Sequence, residues 1–289
     1  MRCLGCAAVA ACLAEKCAPR AAAQEPRSSL YPRFEIDASG TLLVLGATIR
    51  IDSKTNLRLG TEIKAEDVLG VPRTTFQPRV TLRWRPWRRH ELEAGIFPAA
   101  RSGERTLTRT IVVGDTSFAA GARVSSALRT SQAFFTYRFA FTARETTQFG
   151  IALGLGALFF RSQIDALAVA TGGGVERNRV LYSETQESTG PTASVGVYGR
   201  LLLGHRWHLE AELRGIYLES GVYEVRMLEG GAAGRYFFSR TVGAELGYDL
   251  GYYHEASDQT SNRGFFELDF RGKVHYIVHG FRGGIVIQF

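Results

Sequence analysis

Charged residues recur at every second position in several stretches of this 289-residue chain, and they are the first candidates for chemistry. Arg79 and Arg83, Glu91 and Glu93, Glu210 with Glu212 and Arg214, and Glu245 with Asp249 each fall on one face of a strand, because successive strand side chains point to opposite sides. Arg138, Arg200 and Arg282 stand in the same register within their own stretches. Enclosed together, the two signs neutralise one another as ion pairs. Lining an open passage, they would set which ions cross it. Hydrolysis is a third option, and it needs a histidine and a carboxylate held together. His254 and Asp258 share one polar stretch and Asp165 lies in another, but no spacing singles out a Ser/His/acid set. Phosphate-loop, zinc and calcium-loop patterns are missing, so neither a cofactor nor a metal is expected.

These charges have to be positioned by strands. From about Thr41 onward the pattern is period-2 alternation. Val242, Ala244, Leu246, Tyr248, Leu250 and Tyr252 alternate with Gly243, Glu245, Gly247, Asp249, Gly251 and Tyr253. Phe76, Val80, Leu82 and Trp84 alternate with Gln77, Arg79, Thr81, Arg83 and Arg85. The text predicts ten strands at 36–51, 75–85, 90–98, 131–141, 148–161, 192–203, 207–218, 230–238, 242–253 and 273–289. Alternation suits a soluble sandwich and a membrane barrel equally, so the connections must decide. Tight junctions at Pro86–Arg89, Thr142–Thr147, Gly204–Arg206 and Ser239–Thr241 alternate with long polar ones at Asp52–Thr75, Ala99–Ser131, Ser162–Pro191, Glu219–Glu229 and His254–Gly272. Short turns at one end and long loops at the other are the asymmetry of an outer-membrane barrel.

The expected fold is therefore all-β, a transmembrane antiparallel up-and-down barrel of about ten strands. Eight or twelve remain open, because the loops carry strand-like text of their own. Thr106–Val113 and Phe118–Val124 could pair through Gly114-Asp115, and Gln163–Ala170 with Asn178–Thr185 around Gly172–Gly174. Aromatic residues gather beside the short turns: Trp84, Trp87, Phe139, Phe141, Phe149, Trp207, Tyr236, Phe237 and Phe238. That is where a girdle at headgroup level would lie.

Mean hydropathy is near zero and no apolar run approaches the roughly 18 residues of a membrane helix, whereas a barrel strand needs only about 10. Residues 1–23 read as a signal peptide: Arg2 precedes an apolar stretch from Cys3 to Ala14, and Ala21-Ala22-Ala23 offers small residues before a cut. A lipoprotein reading rests on Val9-Ala10-Ala11-Cys12. Residues 24–35 would form a periplasmic segment and 36–289 the barrel. Cys3, Cys6, Cys12 and Cys17 all precede the expected cut, leaving no thiol to mispair in an oxidising periplasm. Loss of Arg2, Lys16, Arg20 and Glu15 takes the net charge from +7 to +5.

The last residues place Arg282, Gly284, Ile287 and Phe289 in the pattern of a polar residue, a glycine two later, and apolar residues at the third-last and last positions. This resembles the assembly signal of outer-membrane barrels, and the chain as a whole resembles the small outer-membrane β-barrel families, the group holding the OmpA-type and OmpW-type barrels. Gly60-Thr61-Glu62-Ile63 through Glu66-Asp67, followed by Trp84 to Glu93, resembles uncharacterised members of that group. The resemblance covers about 36–289 and implies a fold, an outer-membrane location and insertion by the barrel-assembly machinery, without a mechanism. Segments matching the catalytic motifs of omptin-type proteases are missing.

The expected role is structural or interactive and non-enzymatic, with the protein favoured as a monomer. Outer-membrane lipid and lipopolysaccharide would be its surroundings, and no nucleic-acid partner is expected. Arg101, Arg105, Arg109, Arg177 and Arg179 in the long loops are suited to lipopolysaccharide phosphates, since guanidinium groups bind phosphate in a bidentate fashion. A narrow small-solute channel is the alternative, and a hydrolase at the rim is the third reading.

Overall fold

The computed structural model describes residues 29–53, 59–172, 175–220, 223–257, 261–263, 266–268 and 271–289, so the expected signal peptide lies outside the described residues. In chain order the elements are β1 (Phe34–Ile51), β2 (Ile63–Lys64), α1 (Ala65–Val68), β3 (Thr74–Trp87), β4 (His90–Thr106), β5 (Ile111–Val113), β6 (Thr116–Phe118), β7 (Arg123–Ala143) and β8 (Thr147–Gly172). They continue as β9 (Val175–Leu203), β10 (Trp207–Ser220), β11 (Tyr223–Phe237), β12 (Val242–Ser257), β13 (Ser261–Arg263), β14 (Phe266–Leu268) and β15 (Gly272–Gln288).

Ten of these strands form the wall, in the order β15-β12-β11-β10-β9-β8-β7-β4-β3-β1, and β1 pairs back onto β15. Every pairing is antiparallel, running from Glu35↔Gln288 to Ile51↔Gly272 at the closing seam. Closure matters energetically, because it leaves no edge of unpaired backbone groups. The eight- and twelve-strand options therefore give way to ten.

Several segments with loop-like composition pair as strand instead. β8 and β9 run for 26 and 29 residues and stay paired to Gly172↔Val175, with a one-residue register shift between Ala166 and Leu167. Residues 219–220 continue β10 and 223–229 belong to β11, and 99–106 pairs with 123–130. Once two strands are in register the backbone hydrogen bonds continue beyond the bilayer, where both faces meet water or protein and the apolar alternation no longer shows. The expected hairpin around Gly114-Asp115 is present as β5 and β6, shortened to three paired residues on each side.

The wall sorts its side chains by parity. Leu82, Leu155, Leu213, Leu246 and Ile285 point outward, and Leu246 is 69% exposed. Arg83, Glu93, Arg138, Glu245 and Arg282 point inward and are buried. An apolar surface that wraps a whole barrel is untenable in water, and an inside-out pattern of this kind is matched to hydrocarbon. Leu246 is the fifth residue of β12 from the turn end, close to the middle of the apolar band. Leu246→Arg is expected to destabilise the folded barrel by about 2–4 kcal/mol in lipid, read from urea titration in vesicles.

At the turn end the aromatic rings meet edge to face or tilted along the wall. Trp87–His90, His90–Phe139, Phe139–Phe141 and Phe141–Phe149 have centroids 5.5, 5.3, 5.8 and 6.4 Å apart, and Trp207–Tyr236 and Tyr236–Phe238 lie at 5.0 and 5.4 Å. Trp84 stacks on Phe34. Phe237 departs from the expected girdle: it turns inward, is 1% exposed and packs on His208 at 4.6 Å. Its neighbours Tyr236 and Phe238 keep the outward face.

Candidate functional site

The alternation brings the predicted charges together inside the barrel. Arg83 donates to Glu35 at 2.6 Å and to Glu210 at 3.0 Å, and pairs with Glu93. Glu91 accepts from Arg200 at 2.6 Å and from Arg138 at 3.2 Å, and also pairs with Arg85. Arg138 bonds Glu93 and Glu212 as well. Arg235 reaches Glu245 at 2.6 Å, Glu210 at 3.0 Å, Glu35 at 3.1 Å and Asp37 at 3.5 Å. Arg282 bonds Glu245 at 2.6 Å and both oxygens of Asp249 at 2.5 and 2.7 Å, while Arg214 bonds Glu229 at 2.6 Å.

These contacts involve nine of the wall strands directly. β8 joins through Gln148, whose amide donates to Tyr198 Oη at 3.1 Å and whose oxygen lies 3.5 Å from Arg85 and Arg200. Arg79, Arg83, Arg85, Arg138, Arg200, Arg214, Arg235 and Arg282 make eight cations. Glu35, Asp37, Glu91, Glu93, Glu210, Glu212, Glu229, Glu245 and Asp249 make nine anions. A buried charge without a partner is costly, and here Arg83, Arg138, Arg235, Glu91 and Glu210 each meet two or more of the opposite sign, while Arg79, Arg85, Asp37 and Glu229 each meet one among the described residues. Chemically, such a network fills space and fixes strands.

All the lumen charges expected from the sequence sit in this network, namely Arg79, Arg83, Glu91, Glu93, Arg138, Arg200, Glu210, Glu212, Arg214, Glu245, Asp249 and Arg282. Glu35, Asp37, Glu229 and Arg235 were not foreseen as members. The first two precede or open the predicted first strand, and Glu229 fell in a segment read as loop. Their parity with Thr41, Leu43 and Gly231 was the usable signal.

The network is sealed from the turn end by the segment before β1. Leu30 is buried, and its carbonyl accepts from Arg85 at 2.6 Å. Tyr31 donates to the Arg144 carbonyl at 2.5 Å and lies under the guanidinium groups of Arg88 and Arg85, 4.9 and 5.0 Å from its ring. Burial raises the Tyr31 phenol above its ordinary range, and Arg88 and Arg85 partly offset that.

At the opposite end the lumen changes character. Ile63, Ala65, Leu69 and Val71, which lie between β1 and β3, pack with Ile111, Val113 and Phe118 of the β5–β6 hairpin against Ile49, Val124, Leu128 and Ile164 of the wall. Backbone contact makes this fit: Gly70 has φ +70°, and a Cβ on Gly103 would lie 2.2 Å from the Gly70 carbonyl oxygen. Beyond Val44↔Thr74 the β1–β3 ladder ends, and the Ala47 N–H is satisfied by the Glu66 carboxylate at 3.1 Å. Arg101 donates to that carboxylate at 2.7 Å. It therefore faces inward, away from the lipopolysaccharide contact its loop position suggested. Between this apolar cap and the ion-pair network lies a cavity of about 170 Å³.

The histidine and carboxylates considered for hydrolysis do not converge. His254 points outward on β12 beside His275, with ring centroids 6.2 Å apart. Asp165 sits on β8, four strands away, and accepts from Ser183 at 2.5 Å. Four strand spacings amount to roughly 19 Å. Asp258 lies outside the described residues. Among the described residues no group of three or more His, Asp or Glu could hold a metal ion.

No family model matches the sequence, and no curated protein does. Solved structures do match. The outer membrane protease OmpT from Escherichia coli superimposes with a TM-score of 0.55 at 6% identity, covering 91% of this chain and 98% of that one. Weaker likenesses are the attachment invasion locus protein Ail of Yersinia pestis, at TM-score 0.32, 10% identity and 87% and 97% coverage, and the Pseudomonas putida toluene transporter TodX, at 0.36, 8% and 89% and 90%. A closed ten-stranded wall with a lipid-matched exterior decides the matter. The chain is an outer-membrane β-barrel. At 6% identity the likeness to the protease reaches the fold alone. The interior of this outer-membrane barrel holds an ion-pair network toward the turn end and an apolar cap toward the loop end.

Proposed function

We propose that this outer-membrane barrel is a non-conducting protein of the interaction type, with its function exposed at the loop end. The supporting observation is the ion-pair network, which contacts all ten wall strands and sets paired, buried side chains across the lumen at the level of Arg83, Glu93, Arg138 and Glu210. Mixed charges tune a channel only where water remains between them. Here the guanidinium and carboxylate groups touch. Planar-bilayer recordings of folded protein should give a flat trace in concentrated salt; stepwise currents would reinstate the narrow-channel reading.

On this reading the turn end is periplasmic, and Arg282, Gly284, Ile287 and Phe289 are the segment presented to the assembly machinery. Exposed Arg105 and Arg109 at the loop end suit lipopolysaccharide phosphates. Deleting the β5–β6 hairpin and measuring lipopolysaccharide binding tests that part.

A further inference from the structure

The cavity between network and cap has a use that a merely filled lumen would not require. Its side walls are apolar and partly aromatic, including Leu43, Leu128, Phe97 and Phe160. Tyr253 and Tyr276, paired on adjacent strands, stack on one another in its wall, with centroids 4.4 Å apart and planes within 14°. An enclosed cavity of about 150 Å³ lined by Leu, Ile and Phe accommodates one benzene-sized molecule; this one measures about 170 Å³ and shares its lining between apolar walls and charged side chains of the network.

The floor is polar at one place. Arg79 lies against the Phe97 ring at 4.4 Å, and its nearest carboxylate, Asp249, is 3.8 Å away. Asp249 is already engaged by Arg282 at 2.5 and 2.7 Å. Arg79 Nε donates to Thr81 Oγ1 at 3.4 Å, which leaves the terminal N–H groups facing the cavity with Asp249, at 3.8 Å, as their nearest carboxylate, and that carboxylate can accept one more bond. A hydroxyl fits both: its oxygen accepts from Arg79 and its proton goes to Asp249. The lumen already carries nine anions against eight cations, so an added carboxylate is disfavoured and a neutral molecule is not.

We propose that the cavity binds a neutral single-ring aromatic molecule bearing one hydroxyl, a phenol, with the ring among the apolar walls and the hydroxyl between Arg79 and Asp249. The proposal depends on the closed-lumen reading only in that the network provides the floor.

Three probes of nearly equal shape separate the contributions: p-cresol, toluene and p-toluate. Full-length protein in nanodiscs, with empty nanodiscs subtracted, is titrated with each by calorimetry. Saturable p-cresol binding at least tenfold tighter than either analogue is expected. Leu43→Trp, which fills the cavity, should remove saturable binding. Arg79→Met should bring p-cresol down to the toluene level. Heat-modifiable migration on gels verifies that each variant is folded. Absence of saturable binding to the parent protein, preference for toluene or p-toluate, or an unchanged Arg79→Met would each overturn the proposal. Conductance is read separately: a conducting barrel that binds p-cresol defeats the closed-lumen reading alone, and a silent barrel that binds none of the probes defeats this site alone.

Discussion

Replacing Glu91 with alanine should lower the free energy of unfolding by about 3–5 kcal/mol, because it strips a shared carboxylate from three guanidinium groups in the lumen. Arg138 would keep Glu93 and Glu212, and Arg200 would keep Glu210 at 3.3 Å. Arg85 would retain only the Leu30 carbonyl and the distant Gln148. The internal comparison is Glu104→Ala. Glu104 pairs with Arg123 at 2.9 Å at an exposed position, where an ion pair contributes about 0–1 kcal/mol. Urea titration in detergent micelles, followed by loss of the compact gel band, gives both values in one experiment. Equal losses at the two sites would show that the lumen charges are solvated and that the network is not what holds the wall together. Burying charge does not make a protein stable in itself, since apolar replacements of similar volume often do as well. The severity comes from removing one partner while the others stay.

Gly284→Leu should prevent barrel closure altogether, leaving little or no heat-modifiable band after refolding. A Cβ at this position would lie 2.4 Å from Ser39 Cβ and 2.6 Å from the Ala38 carbonyl oxygen, on the strand that β15 must join to complete the ring. Overpacking costs about 1–3 kcal/mol where neighbours can shift; here the obstruction includes backbone of the partner strand, and the seam has no second way to satisfy its ladder. Gly46→Ala provides the matched comparison, since nothing lies within 4 Å of a Cβ there. Normal folding of both variants would mean that the seam is looser than the register Ser39↔Gly284 implies.

Alternation made the wall readable, because inside and outside of a barrel impose opposite chemistry on neighbouring residues. Arg83 beside Leu82 and Glu245 beside Leu246 leave one assignment for each face. The same logic fails above the bilayer, where residues of β8 and β9 have no lipid to face and a paired strand reads as polar loop. It also fails for the cap. Leu69, Val71, Ile111 and Val113 are short apolar spots in separate segments, and only folding brings them together over Leu128 and Ile164. The cavity depends on that meeting, so the Arg79–Asp249 pair could be assigned to the lumen from sequence but not to a pocket. Glu35 was missed for a smaller reason: the first strand begins two residues earlier than its apolar pattern suggests.

The wall is also uneven in height, and this gives the outer mouth a direction. β8 has 26 residues and β10 has 14, a difference of 12, or roughly 40 Å along the strand at about 3.3 Å per residue. The β8–β9 ribbon thus stands like a screen behind the opening, while β10 and β11 form a low sill. Among the described residues, a large partner therefore has the least wall to clear over β10 and β11.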